Sequence, residues 1–155
     1  MNLYHLSHID NLTIKDIKKC KDIRTEEFLN KPDCGLWVSW NMPGENITFW
    51  EDWAYGNEFY DIKTYKYEIV LKTNAKVLLL NSPHYYSVQQ FVRKDYLGQL
   101  YLDYKQLSKY YDVIGITFYP KISIKKLEVN FYAWDVPSAV ILNMNVIKGI
   151  IPVNK

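Results

Sequence analysis

Apolar and polar positions alternate most cleanly over residues 65–71, where Tyr65, Tyr67 and Ile69 share one side and Lys66, Glu68 and Val70 the other. A period of two predicts a half-buried strand. Other short stretches read the same way: 3–6 at the start, 35–40 with aromatics on alternate positions, and 75–80 between Asn74 and Asn81. Late in the chain, 112–118, 127–133, 138–142 and 146–153 each predict a strand, with Pro137 breaking the run before the last two.

Helical signals fall earlier. Leu12, Ile14 and Ile17 predict a helix over 11–23, capped by Asn11 or Thr13. Thr48 with Glu51 three residues on is a capping box, and predicts a short helix carrying Trp50 and Trp53 and ending near Gly56. Ser82-Pro83 predicts a helix start, continued with interruptions near Gly98 to about Tyr111. Turn chemistry marks 30–33, and Met42-Pro43-Gly44 ends a strand. Helices early and mid-chain with strands in the last third predict an α+β fold rather than alternating βαβ units.

A chain of 155 residues without repeat or linker reads as one domain over 1–155. The net charge of +2 argues for no nucleic-acid binder by electrostatics alone. Only Arg24 and Arg93 could offer the bidentate fork that reads guanine edges, so direct base readout is disfavoured. An excess of Lys, Asn, Ile and Tyr is what an AT-rich coding sequence gives, as in a low-GC bacterium or its phage. Cys20 and Cys34 make no framework and fit no zinc spacing with His5, His8 and His84, so free thiols and no metal are expected. No leader-like start and no apolar run near membrane length occur, which reads as a cytoplasmic chain with no membrane partner.

Four groups of residues can carry chemistry. His5 lies among apolar neighbours on the first strand, either as a hydrogen-bonded core group or as a partner for a sugar hydroxyl. Ser39 puts a hydroxyl between Trp37 and Trp40, beyond Gly35, on what is otherwise a core strand. Trp50, Trp53 and Tyr55 form either a hydrophobic lid or a stacking wall for a flat ring. In a strand over 127–133 continued to Trp134, Glu128, Asn130, Tyr132 and Trp134 would share a face, with Asp135 at the strand end. A carboxylate there, framed by aromatics, could support an oxocarbenium-like centre or simply cap the turn before Pro137-Ser138.

Phosphate-binding loops, dinucleotide fingerprints, nucleophile elbows and His-Glu-x-x-His pairs are absent from the sequence. The layout itself resembles small ADP-ribosyltransferase domains of the histidine type. It has Tyr4-His5 on a first strand, then Gly35 to Ser39, then Tyr111 to Ile116, then a late strand with an acidic residue. The resemblance implies split antiparallel sheets around a cleft, NAD as substrate, no metal, and a protein or nucleic-acid acceptor. It also implies that His5 holds ribose hydroxyls, Ser39 is the small polar group of the second strand, and Trp50, Trp53 or Tyr55 stacks on nicotinamide. Asp135, with Glu128 as rival, would be the catalytic carboxylate. The usual late glutamate motif is not evident, so a catalytically dead relative fits the same layout. The alternative is a non-enzymatic inhibitor or interaction protein that uses its 14 Tyr and 5 Trp as interface anchors.

Overall fold

The computed structural model describes residues 1–59, 64–80, 88–117, 129 and 131–153, with the backbone alone at Phe28 and Tyr132. Its strands are β1 (Leu3–Ser7), β2 (Thr25–Glu26), β3 (Lys31–Pro32), β4 (Leu36–Val38), β5 (Tyr65–Leu71) and β6 (Val77–Leu80), then β7 (Val92–Lys94), β8 (Leu100–Leu102), β9 (Val113–Ile116), β10 (Ser138–Ile141) and β11 (Ile147–Val153). The α-helices among the described residues are α1 (Phe49–Gly56) and α2 (Tyr104–Leu107). The architecture is α+β and mostly sheet.

Two sheets carry the fold. One is three-stranded in the order β1-β5-β11, and the other four-stranded in the order β4-β10-β9-β6. The first is antiparallel throughout. In the second, β6 pairs with β9 in parallel, which corrects the expectation of wholly antiparallel sheets. A parallel pair needs a crossover, and the chain between β6 and β9 includes the β7–β8 hairpin and α2.

Strand alternation assigns the cores. Leu3, Tyr67 and Ile69 of the first sheet meet Leu36, Val38, Val113, Ala139 and Ile141 of the second. On the second sheet's other face, Leu78, Ile114, Ile116 and Val140 meet Phe91, Leu102, Tyr104, Leu107 and Trp134. Both faces of the four-stranded sheet are therefore buried, which is why β9 and β10 are apolar without alternation.

α1 forms where its capping box is written. Thr48 Oγ1 accepts from the Glu51 amide at 3.0 Å, and Glu51 Oε2 accepts from the Thr48 amide at 2.8 Å. The same carboxylate accepts from Lys66 Nζ at 2.7 Å, with both side chains largely buried, so the helix start is tied to β5.

Three expectations are corrected. Residues 11–23 make no helix: Asp16 Oδ2 accepts from the Thr13 amide and hydroxyl at 2.8 and 2.6 Å, closing one turn. Leu12 and Ile17 are buried as loop anchors, and the Leu12 amide donates to Tyr67 Oη at 3.3 Å. The helix expected to run to Tyr111 is, over its described part, a 3-10 turn, the β7–β8 hairpin and α2; its start at Ser82-Pro83 lies outside the described residues. The strand expected over 127–133 lies partly outside them too, and Tyr132–Trp134 is a 3-10 helix. The shared face proposed for Glu128, Asn130, Tyr132 and Trp134 does not extend to Trp134.

The expected free thiols are also corrected. Cys20 and Cys34 are joined as a disulfide, with Cα atoms 5.7 Å apart, inside the usual range for such a link. No described helix is long and apolar enough to cross a membrane.

Candidate functional site at the seam of the two sheets

Besides the shared core, a backbone bridge links the two sheets. The Tyr4 amide donates to Ser39 O at 2.7 Å, and the Ser39 amide donates to Tyr4 O at 2.9 Å. One residue further along, β1 pairs only with β5, and the gap towards β4 is filled by the His5 imidazole. Its Nδ1 lies 2.8 Å from Trp37 O. A carbonyl only accepts, so Nδ1 carries the proton and Nε2 of the neutral ring is an acceptor. Burial pushes the pKa of His5 down, partly offset by the bond to Trp37. The ring is therefore neutral at pH 7, and its Nε2 can accept from a hydroxyl.

Ser39 is fully buried, and its Oγ donates to Pro137 O at 3.0 Å. That bond fixes the start of β10 against β4, two residues after Asp135. Asp135 has a φ of 57°, in the left-handed region. The conformation is held from both sides: Trp134 is 1% exposed, and the Val136 amide donates to Trp134 O at 2.6 Å. Trp134 Nε1 in turn donates to Asn30 O at 2.8 Å. Trp134 is thus a core anchor, and Asp135 is the exposed residue that the anchor presents.

Lys31 follows Asn30, so the same anchor brings Lys31 Nζ to 3.9 Å from Asp135 Oδ2. The ammonium also lies 5.3 Å from the Trp37 ring centroid, and Trp37 packs edge-on against Trp134 at 4.8 Å. Lys31, Trp37, Asn30 and Trp134 were not singled out from the sequence as a supporting set. The sequence marked Asn30 and Lys31 only as turn chemistry, Trp37 as a neighbour of Ser39 and Trp134 as a strand residue beside Asp135. The structure adds the buried Asn30 side chain, whose Oδ1 accepts from the Leu102 amide at 2.8 Å.

The aromatic group lies elsewhere. Trp50 and Trp53 line a hollow of about 140 Å³ with Leu6, Ser7, His8, Ala54, Phe59 and Thr64, and Trp53 stacks on Phe59 at 5.4 Å. Leu6 and Ser7 are the last two residues of β1, and His8 follows its end. The hollow therefore begins one residue beyond His5 along the chain. Tyr55 is 55% exposed on the far side of α1 and does not line it. His5 and Ser39 thus meet β4 and its end at the seam, Asp135 sits two residues before the proline that Ser39 bonds and beside Lys31, and Trp50 and Trp53 line a separate hollow along the end of β1. The Tyr132 side chain and all of Glu128 lie outside the described residues. Among the described residues, no group of three or more His, Cys, Asp or Glu side chains is gathered as a metal would need.

No family model, no curated protein and no solved structure matches this chain.

Proposed function

We propose that the domain is an NAD-dependent ADP-ribosyltransferase whose two sheets open around the NAD site, with a protein or nucleic-acid group as acceptor. The observation that supports the reading is the seam: His5 bonds Trp37 O, Ser39 pairs with Tyr4 and bonds Pro137 O, and Asp135 lies two residues before that proline. In the reaction the bond between nicotinamide and ribose breaks, and nicotinamide leaves with the electron pair. Positive charge develops on the ribose carbon, and the Asp135 carboxylate stabilises it. His5 Nε2 accepts from a ribose hydroxyl and orients the ring. The acceptor's nucleophile then bonds to that carbon and gives up its proton. The hollow at Trp50 and Trp53 offers indole faces to a flat ring such as nicotinamide.

The proposed compartment is the cytoplasm. Thiol buffers there would open the Cys20–Cys34 bond, so the fold has to persist without it.

A second reading, an interaction protein, is favoured by one surface feature. Tyr96 and Leu97 are 91% and 62% exposed at the tip of the β7–β8 hairpin. The tip is pre-ordered, since Asp95 Oδ1 accepts from the Leu97 and Gln99 amides at 2.9 and 2.8 Å. Incubation with labelled NAD and a cell lysate separates the two readings. The transferase labels an acceptor, and His5→Ala and Asp135→Ala abolish the label. No label from the wild-type protein sinks the transferase reading. Label lost in Glu128→Ala but kept in Asp135→Ala moves the carboxylate role to Glu128.

A further inference from the structure

The net charge of +2 is spread unevenly along the chain. Residues 15–24 carry five basic and two acidic side chains, so this one segment has a larger positive surplus than the whole protein. Lys15, Lys18, Lys19 and Lys21 are all exposed. Among the described residues, none of the four pairs with a carboxylate.

Anchors three residues apart explain why the lysines face outward. Ile17 is buried in the core between the two sheets, Cys20 is bonded to Cys34, and Ile23 packs on the core of the four-stranded sheet's other face. Lys18, Lys19 and Lys21 fall between these anchors. The two carboxylates of the segment are already engaged. Asp16 Oδ2 closes the turn with Thr13, and Asp22 lies 3.6 Å from Arg24 Nε and 3.0 Å from Lys105 Nζ. The contact with Lys105 brings α2 alongside the loop, and Lys109, four residues on, is exposed as well. Two separate stretches of chain thus contribute to one basic surface.

The side chains present select the partner. Lysine is a point charge that suits phosphate, whereas carboxylates are matched best by the arginine fork. Arg24, the one arginine here, is beside Asp22. An acidic protein is therefore a poorer fit than a phosphate backbone. A bilayer surface needs an apolar face to bury, and between Lys15 and Arg24 the isoleucines are turned inward. Ile9 and Ile14 before the segment are partly exposed, but as single side chains five residues apart. The loop carries no aromatic ring for stacking unpaired bases. A duplex, with one charge per about 1.7 Å of axis, offers the densest phosphate array to such a surface.

We propose that the lysine loop, Lys15 to Lys21, with Lys105 and Lys109 beside it, is a docking surface for the phosphate backbone of a nucleic-acid duplex. It holds the duplex without reading its sequence. The proposal does not depend on the transferase reading of the seam.

Fluorescence anisotropy of labelled short duplexes titrated with the full chain, without NAD, tests it. Binding is expected to be independent of sequence. Its logarithm should fall with the logarithm of salt over about 50–200 mM with a slope of roughly −3 or steeper, near −0.9 for each phosphate contact. Lys18→Gln/Lys19→Gln/Lys21→Gln should flatten that slope by about 3. Lys72→Gln/Lys76→Gln/Lys148→Gln changes the net charge equally at exposed lysines outside the surface and should leave the slope as it is. No duplex binding at low salt, a slope unchanged by the loop variant, or an equal loss in the control variant overturns the proposal. So does tighter binding to a single strand, to polyglutamate, or to vesicles of phosphatidylserine and phosphatidylcholine than to the duplex. These wild-type comparisons need no variant, so they stand even if the loop variant misfolds. Nicotinamide release is not read here, so duplex binding without transferase activity, or the reverse, separates the two proposals.

Discussion

His5 fills the gap where β1 parts from β4, and its bond to Trp37 O sets its tautomer. Its depressed pKa makes stability depend on pH with a definite sign. In the unfolded chain the imidazole titrates near 6.5, and in the folded protein lower, chiefly through burial. Between those values the unfolded state holds more protons, so stability falls as pH drops through 6.5 and levels off below the folded value. Urea midpoints measured from pH 7.5 to 5 should show this fall, and His5→Gln should lack the part of it that His5 contributes. An unchanged slope in the variant would show that the ring is not buried neutral. Trp134 and Asp135 carry the other residue-scale lesson. A run of aromatics beside a carboxylate was legible as unusual, but composition does not say which way a ring points. Trp134 points into the core, where its indole N–H bonds to Asn30 O, and Asp135 faces outward.

At the scale of elements, local signals with a mechanism were readable. The capping box of α1 formed as written, and β5 appeared where the alternation was cleanest. Residues 11–23 failed because Leu12 and Ile17 are anchors to β5 and the core rather than one stripe of a helix. Residues 92–107 failed because the hairpin turn rests on the Asp95 side chain and on Gly98 at a φ of 83°, signals spread among apolar residues that also suit a helix. The seam was only half legible: His5 and Ser39 stood out by type, while the bridge and the Lys31–Asp135 approach depend on pairing that no local window contains. β9 offers a sharp test of the packing. A Cβ at Gly115 would lie 2.7 Å from Ala139 Cβ and 2.9 Å from both Leu79 Cδ2 and Ser138 O. Gly115→Ala should therefore destabilise the protein by about 1–3 kcal/mol, read as a lower urea midpoint. A neutral result would mean that β9 is not sandwiched between β6 and β10.

For the whole molecule, the Cys20–Cys34 bond closes a segment with a sequence separation of 14. That segment carries Thr25, Asn30 and Lys31. Thr25 Oγ1 accepts from the Tyr104 amide at 3.0 Å, and Asn30 O accepts from Tyr104 Oη at 2.9 Å, so the loop holds α2 as well as Trp134. Loop-closure entropy for this length is worth about 3 kcal/mol, or roughly 10 °C in melting temperature for a domain of this size. Reduction should lower the melting temperature by about that much while a cooperative transition remains. Loss of the transition would make the bond a condition of folding and would exclude a reduced cytoplasm as the place of action. The geometry of the seam rests instead on non-covalent bonds: Tyr4 to Ser39, Ser39 to Pro137, and His5 to Trp37.

The central claim is that this seam breaks the nicotinamide–ribose bond. Nicotinamide release from NAD by the purified protein, compared between the wild type and Asp135→Asn at matched melting temperature, tests it most directly. Asn keeps the shape of the exposed side chain and tolerates a positive φ, so the fold should be retained while the charge is lost. The account predicts release by the wild-type protein and a fall of roughly 100-fold or more in the variant, the scale on which a single electrostatic contact to a transition state acts. Equal release from both proteins, or none from the wild type, would contradict it.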